Sequence, residues 1–324
     1  MKKNTILVLG ASGFIGKNIA QRLSKRKDVI VYGTYLTNKP EIKNITLIKA
    51  DLRKEREVDR IIAGKDIVIQ AAAVTSGAKD ILSKPYIHVT DNAIMNSLIF
   101  KSCFTNGVKH VVFFSCTVMY PNKNAPVKEK DFNYQITEKY FGVGWTKVYL
   151  EKMCEFYSKL GNTKYTAIRH SNMYGPHDKY DLEKSHFFGA TITKVLTAKD
   201  DLANGAAGKI NVWGDGSEKR DLLYISDLVD FVEIIIKKQK EQFELINIGF
   251  GQAVSVKEVI KKIIKISKKK LQIEFDTSKP TIRFNLSVNS EKAINKYKWK
   301  PRVSLEKKKK KTIEWYNKTF YEKQ

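Results

Sequence analysis

The sequence predicts an α/β fold, a doubly wound parallel sheet with a smaller C-terminal lobe. Three observations lead there. The apolar run Ile6–Leu9 passes straight into three closely spaced glycines, Gly10, Gly13 and Gly16, and an amphipathic segment follows them. Strand and helix patterns then alternate up to Asn172. Beyond Asn172 the alternation gives way to shorter pieces, broken first at Gly175-Pro176.

The elements follow in order. Ile6–Leu9 is a strand, and Phe14, Ile15, Ile19 and Leu23 share one face of the helix after it. Gly10 lets the chain reverse sharply. Gly13 leaves room for a pyrophosphate to approach the backbone, and Gly16 lets the helix pack close on the strand. Free N–H groups at the helix start face the anion. Gly10, Ser12, Gly13, Phe14, Ile15 and Gly16 are therefore candidate contacts to a dinucleotide, in a Rossmann-type arrangement.

Val29–Tyr35 reads as the second strand. The segment from Gly33 to Lys39 has no acid to hold a ribose 2′-hydroxyl. Thr37, with Asn38 and Lys39, suits a 2′-phosphate, which favours NADP(H), with NAD(H) as the alternative. Ile45–Ala50 is the third strand. Asp51, before Leu52, can accept from an adenine amino group or cap the next helix, Glu57–Ala63. Asp66–Ala73 is the fourth strand; its small Ala71, Ala72 and Ala73 either let the backbone lie against the coenzyme or serve packing. Asn92–Asn106 is helical, His110–Ser115 is the fifth strand, Gly144–Leu160 a long helix and Lys164–His170 the sixth strand. Asn92 joins the candidate cofactor contacts, and Thr75 the candidate substrate contacts.

The expected division is 1–172 for a dinucleotide-binding domain and 173–324 for a smaller substrate lobe, with chain crossing back to the first domain. In the second part Lys199–Gly208 reads as a polar loop, Ile225–Lys237 and Val256–Ile266 as helices, and Thr312–Tyr316 as part of a C-terminal helix. No window approaches a membrane span and no leader-like apolar stretch precedes the first strand. Three cysteines without a CxxC pair argue against a disulfide framework or a zinc site, and fit a reducing cytoplasm. The net charge of +25 is concentrated in part at Lys261-Lys262, Lys268–Lys270 and Lys307–Lys311. Aromatics are not interleaved with these clusters, which disfavours nucleic acid. The positive field does favour an anionic substrate such as a nucleoside diphosphate.

The glycine loop Gly10–Gly16, Asp51-Leu52, Ala71–Ala73, Val118-Met119-Tyr120-Pro121 and Arg169 to Pro176 resemble the extended short-chain dehydrogenases/reductases, the NAD(P)-dependent epimerases and dehydratases of nucleotide sugars. Gly175-Pro176-His177-Asp178, Ser185-His186, Val212-Trp213-Gly214 and Lys219 to Tyr224 are most similar to the GDP-L-fucose synthases. The resemblance implies a nucleotide-diphosphate keto-sugar, GDP-linked by preference, epimerised beside the ketone or reduced at C4. A dehydratase is disfavoured, because Thr117-Val118 stands where those enzymes carry an Asp-Glu pair.

The family's chemistry uses a Ser or Thr, a Tyr and a Lys. Lys147 matches the lysine, which binds the nicotinamide ribose and lowers the tyrosine pKa. The tyrosine position holds Val143, and the serine position holds Cys116, with Thr117 next to it. Tyr140 is a candidate substitute, although on a helix it lies about 60° around and ~4.5 Å along from position 143. The alternatives are a proton from another group or water, or loss of C4 redox with proton transfer kept elsewhere. His186 matches the histidine of the epimerisation pair. The matching cysteine position is Val118, so Cys116 would act from a shifted place. Arg220 and Arg283 match diphosphate-binding arginines, while Asn172 and Trp213 are candidates for the diphosphate and the base pocket. The resemblance also implies a homodimer through Asn92–Asn106 and Gly144–Leu160. A second reading keeps fold and ligands but no catalysis, as a binding protein.

Overall fold

Successive side chains of a strand point to opposite faces, so a sheet covered on both sides needs apolar residues at every position. Of the strands Asn4–Leu9 (β1), Val29–Tyr35 (β2), Thr46–Lys49 (β3), Ile67–Gln70 (β4), His110–Phe114 (β5) and Lys164–His170 (β6), β1, β4, β5 and β6 largely meet that need, while β2 and β3, toward the sheet edge, are less buried. The computed structural model describes residues 3–75, 83–123, 125–182, 185–198, 207–279, 285–302 and 305–320.

Helices Phe14–Leu23 (α1), Glu55–Ile62 (α2), Thr90–Thr105 (α3) and Phe141–Ser158 (α4) connect these strands. After β6 come Asn172–Tyr174 (β7), Phe187–Thr197 (α5), Gly208–Trp213 (β8), Lys219–Tyr224 (β9) and Ile225–Lys238 (α6). Phe243–Ile248 (β10), Ala253–Ser255 (β11), Val256–Ser267 (α7), Leu271–Asp276 (β12), Glu291–Tyr297 (α8) and Leu305–Phe320 (α9) complete the chain.

The central sheet has seven parallel strands in the order β10-β6-β5-β4-β1-β2-β3. Ile6, Val8, Val112, Phe114, Ile168 and Ile246 pack on one face with α1 and α6. Their neighbours Leu7, Leu9, Val111, Phe113 and Ala167 pack on the other with α2, α3 and α4. β10 comes from beyond residue 172 and pairs with β6, so the sheet takes its last strand from the second part of the chain. A three-stranded sheet, β11-β9-β7, and a parallel pair, β12-β8, form the smaller lobe. Asp221 on β9 ties the parts together, accepting from the backbone N–H groups of Phe250, Gly251 and Val288.

Several boundaries shift by one to three residues from the sequence reading, and two of the shifts have a visible cause. The fourth strand ends at Gln70 rather than Ala73. The Gln70 amide turns back on the chain, donating to the Ala72 carbonyl and accepting from the Ala72 N–H. The long helix starts at Phe141 rather than Gly144, because a single 3-10 turn, Glu138–Tyr140, feeds directly into it. Gly144 serves packing: a Cβ there would lie 2.8 Å from Ile136. Among the described residues, no helix is long and apolar enough to cross a membrane.

Candidate active site

The β1–α1 turn is built around the absence of three side chains. Gly10 has φ +77°, and a Cβ on it would lie 2.7 Å from the Ala72 backbone. A Cβ on Gly16 would lie 2.2 Å from the Gly10 carbonyl oxygen, so α1 rests directly on the turn. Gly13 differs: its Cβ would meet only the Gly10 oxygen, at an ordinary 3.4 Å. Bareness at Gly13 therefore serves the space in front of the turn. Gly13 is also the N-cap of α1, with no side-chain capping bond and no acid in the first helical turn. Uncapped N–H groups, a helix dipole and an open approach form a cradle that fits a pyrophosphate. Ser12 is exposed here, while Phe14 and Ile15 are half-buried. Thr34 holds the turn, its hydroxyl accepting from Gly10 N and its carbonyl from Ala11 N. The sequence reading passed over Thr34; a hydroxyl residue inside β2 was its signal.

Thr37 is exposed past the end of β2, with Asn38 and Lys39. Arg53 grips both oxygens of Asp51, at 2.9 and 3.0 Å, and holds that carboxyl below the usual carboxylate range. Asp51 is not a helix cap, because the N-cap of α2 is Lys54. Leu52 is buried in the core against α2. Ala71 and Ala72 are half-buried and Ala73 exposed at the β4 exit. Asn92 lies on α3 with its amide spent on backbone: Oδ1 accepts from Val74 N, and Nδ2 donates to the Val74 and His88 carbonyls. It shapes the strand exit rather than reaching past it. The exposed Thr75 accepts from the Lys179 amine at 2.9 Å, a bond that joins the β4 exit to the segment after β7.

At the β5 exit the Lys147 amine, from α4, donates to the Phe114 carbonyl at 2.8 Å. It also lies 4.8 Å from the centre of the Phe113 ring. Burial pushes the Lys147 pKa down, while Cys116, Glu151 and Cys154 act to raise it. Cys116 is pushed up by burial and lowered in part by Lys147 and a bond from the Val118 backbone. Its neighbour Thr117 is buried. Tyr140 sits on the turn that opens α4. Burial pushes its phenol up; Arg220 acts to lower it and Cys116 to raise it. Tyr140 thus shares a site with Cys116 and Arg220, while Val143 is half-buried one helical turn before Lys147. The non-helical offset of Tyr140 is what the sequence left open.

His186 is the N-cap of α5; the residue is exposed, but its ring lies against enough protein for desolvation, with the charges of Lys179 and His88, to lower its pKa. His170, to which the sequence reading gave no chemistry, ends β6. Its Nδ1 lies 2.9 Å from the Ser171 carbonyl, and its ring meets Phe114 at 6.2 Å. Burial pushes it down to about 4, with Lys147 and His186 adding to the fall. Lys147, Cys116, Tyr140, Arg220, His170 and His186 therefore belong to one cluster at the C-terminal edge of the sheet. Asn172 is exposed on β7, and Trp213 is 43% exposed at the end of β8. Arg283 lies outside the described residues, as does most of the expected loop 199–208. Cys103, Cys116 and Cys154 are all unpaired.

Residues 6–249 match the NAD dependent epimerase/dehydratase family. A GDP-L-fucose synthase of Sinorhizobium fredii is 30% identical over 93% of this chain and 91% of its own length. A GDP-L-colitose synthase of Yersinia pseudotuberculosis is 26% identical over 96% of this chain and 97% of its own. The solved UDP-glucose 4-epimerase of Thermotoga maritima superposes with a TM-score of 0.85 at 23% identity, covering 97% of this chain and 99% of that one.

Proposed function

We propose that this chain, which belongs to the NAD dependent epimerase/dehydratase family, binds NADP(H) and epimerises or reduces a keto-sugar carried on a nucleoside diphosphate, GDP foremost. One observation carries the reading. The Lys147 amine is seated on the Phe114 carbonyl, on the edge of the sheet that also bears the α1 cradle, Cys116, Tyr140 and Arg220. The relatives named for GDP-sugars support the choice of base.

The coenzyme, when bound, supplies or accepts hydride. The protein's own residues position and move protons. The three bare glycines and the α1 N-terminus hold a pyrophosphate, and Thr37, Asn38 and Lys39 suit a 2′-phosphate. Lys147 would hold the ribose beside the nicotinamide. Cys116 and Tyr140, both raised by burial, keep their protons at neutral pH and are acids. His186, lowered by desolvation, is a neutral base. In epimerisation His186 takes the proton from the carbon next to the ketone, and Cys116 returns one to the opposite face. In reduction Tyr140 gives its hydroxyl proton to the ketone oxygen, in place of the phenol that Val143 lacks. Arg220, with Arg283, pairs with the diphosphate, and Asn172, Trp213 and Thr75 line its approach.

The test is incubation with NADPH and 4-keto GDP-, UDP-, CDP- and dTDP-sugars in deuterated water. NADPH loss reports reduction, and deuterium at C3 or C5 reports epimerisation. Val143 favours a second reading, a protein that binds both ligands without catalysis. Tight NADPH binding with neither signal on any sugar would establish that reading instead. Ile94 on α3 and Tyr149 and Phe156 on α4 are exposed on two helices that pack together, and they support a homodimer, which sedimentation equilibrium tests. The unpaired cysteines suit a reducing cytoplasm.

A further inference from the structure

We propose that Glu151 is a positioning residue: its one buried carboxylate, paired with Arg169, holds the β5 exit, the β6 exit and the Lys147 turn of α4 in a single arrangement. The inference takes its importance from the reading of Lys147 as a coenzyme residue.

Glu151 follows Lys147 by four residues, so it lies one turn further along the same face of α4. It is 4% exposed and Arg169 is 2% exposed. Arg169 engages it with both arms of the guanidinium fork, Nε to Oε1 at 2.9 Å and Nη2 to Oε2 at 2.6 Å. Ser115 Oγ donates to the same Oε1 at 2.5 Å. Each of these partners stands next to a member of the site: Ser115 precedes Cys116, and Arg169 precedes His170. One carboxylate therefore fixes three backbones on which the reactive groups are mounted.

The network continues toward the second lobe. Arg169 Nη1 donates to the Tyr120 hydroxyl at 2.9 Å, which donates to Asn247 Oδ1 at 2.7 Å. Asn247 Nδ2 donates to the Val127 carbonyl, and Val127 exchanges backbone bonds with Ser287 and Asn289. Leu286, at the head of that stretch, bridges Arg220. The chain of bonds thus runs from the Lys147 helix to the strand that bears the diphosphate arginine.

Charge matters as well as position. The groups that act on Lys147 are Glu151 and Cys154 from its own helix and Cys116 from the β5 exit, and Lys147 in turn acts on His170 at the end of β6. Glu151 opposes the loss of the Lys147 proton. Neutralising Glu151 removes that support and leaves Arg169 as a second uncompensated cation nearby.

The experiment uses the full chain. The rate of acylation of Lys147, mapped by mass spectrometry across pH without coenzyme, gives the midpoint of its amine; NADPH affinity is read by fluorescence. Glu151→Gln is expected to move the midpoint down and weaken NADPH about tenfold. Glu151→Asp, which keeps the charge but is one methylene shorter, should fall between Gln and wild type. A Glu151→Gln protein with an unchanged Lys147 midpoint and unchanged NADPH affinity overturns the proposal, whatever its melting temperature does. Should Glu151→Gln fail to fold, Glu151→Asp decides by the same two measurements. Wild-type protein that does not bind NADPH would remove the coenzyme reading, while the acylation midpoints would still judge Glu151.

Discussion

Val143 half-faces the interior one turn before Lys147, and a valine has no proton to give. Tyr140 is three residues earlier, on the turn before the helix, with its phenol within the influence of both Cys116 and Arg220. If Tyr140 is the proton donor, Tyr140→Phe removes the proton and little else. General acid catalysis is worth about 100-fold or more, so NADPH oxidation on the keto-sugar should fall by that factor with coenzyme affinity unchanged. Val143→Tyr then provides the converse measurement: in the Tyr140→Phe background it should restore reduction. Loss of both activity and coenzyme binding in Tyr140→Phe would instead mark a packing residue, since Tyr140 also lies against Tyr120, Val127, Leu286 and Val288. At this scale the sequence was legible where a residue's placement depends on local spacing. Gly10, Gly13, Gly16 and Lys147 fall into that class. Tyr140 and His170 do not, because what they face depends on how the 132–140 loop and the β6 exit are brought together.

The α1 element shows two opposed effects that magnitudes separate. Replacing a helical glycine with alanine gains about 1 kcal/mol of helix propensity. At Gly16 the new methyl would sit 2.2 Å from the Gly10 carbonyl, a backbone atom that cannot swing aside. Overpacking costs about 1–3 kcal/mol, and so close a contact with backbone belongs at about 2–3 kcal/mol. The clash should win. Gly16→Ala is expected to lower stability by about 1–2 kcal/mol in urea denaturation and to weaken NADPH more than tenfold, because the cradle itself must move. A variant as stable as wild type with full affinity would show that α1 does not rest on the turn. Elements were legible in proportion to their periodicity. β2 and β6 have the bounds that their apolar runs indicate. β10 was not foreseen: Phe243–Ile248 is a short run far along the chain, and only its pairing with β6 makes it part of the central sheet. The β4 exit was misread by three residues because alanines extend an apolar pattern, whereas the Gln70 side chain, bonded to Ala72, ends the strand.

Across the whole molecule, opposed titrations set the response to pH. His110, His170 and His177 are pushed down to about 4 by burial. The unfolded chain takes up these three protons near 6.5 and the folded chain does not, so stability falls as pH drops from 6.5 toward 4. Asp178 and Asp221 are pushed up to about 7 and about 6, again by burial. They hold protons in the folded state that the unfolded chain has released above 3.8, so their contribution is full below 3.8 and is lost as pH rises through 6 and 7. These three histidines, joined by His186, outnumber the two aspartates and leave a net loss between pH 6.5 and 4. Below 4 the slope steepens, because Asp66 and Glu241 are held down at about 2 by Thr5 and Lys296. A net charge of +25 that grows as carboxylates protonate adds self-repulsion. Asp178 isolates one part of this balance. Its Oδ1 accepts from Lys179 N, while the buried Oδ2 has no hydrogen-bond partner among the described residues. Above pH 7 the wild-type protein must bury that charge, and below it the carboxyl is neutral. Asp178→Asn keeps the shape without the charge, so its melting temperature should exceed wild type most at pH 8, by less at pH 5, and converge on it only below 3.8. An equal difference at pH 8 and pH 5 would mean that the Asp178 carboxyl ionises in the fold as it does in water.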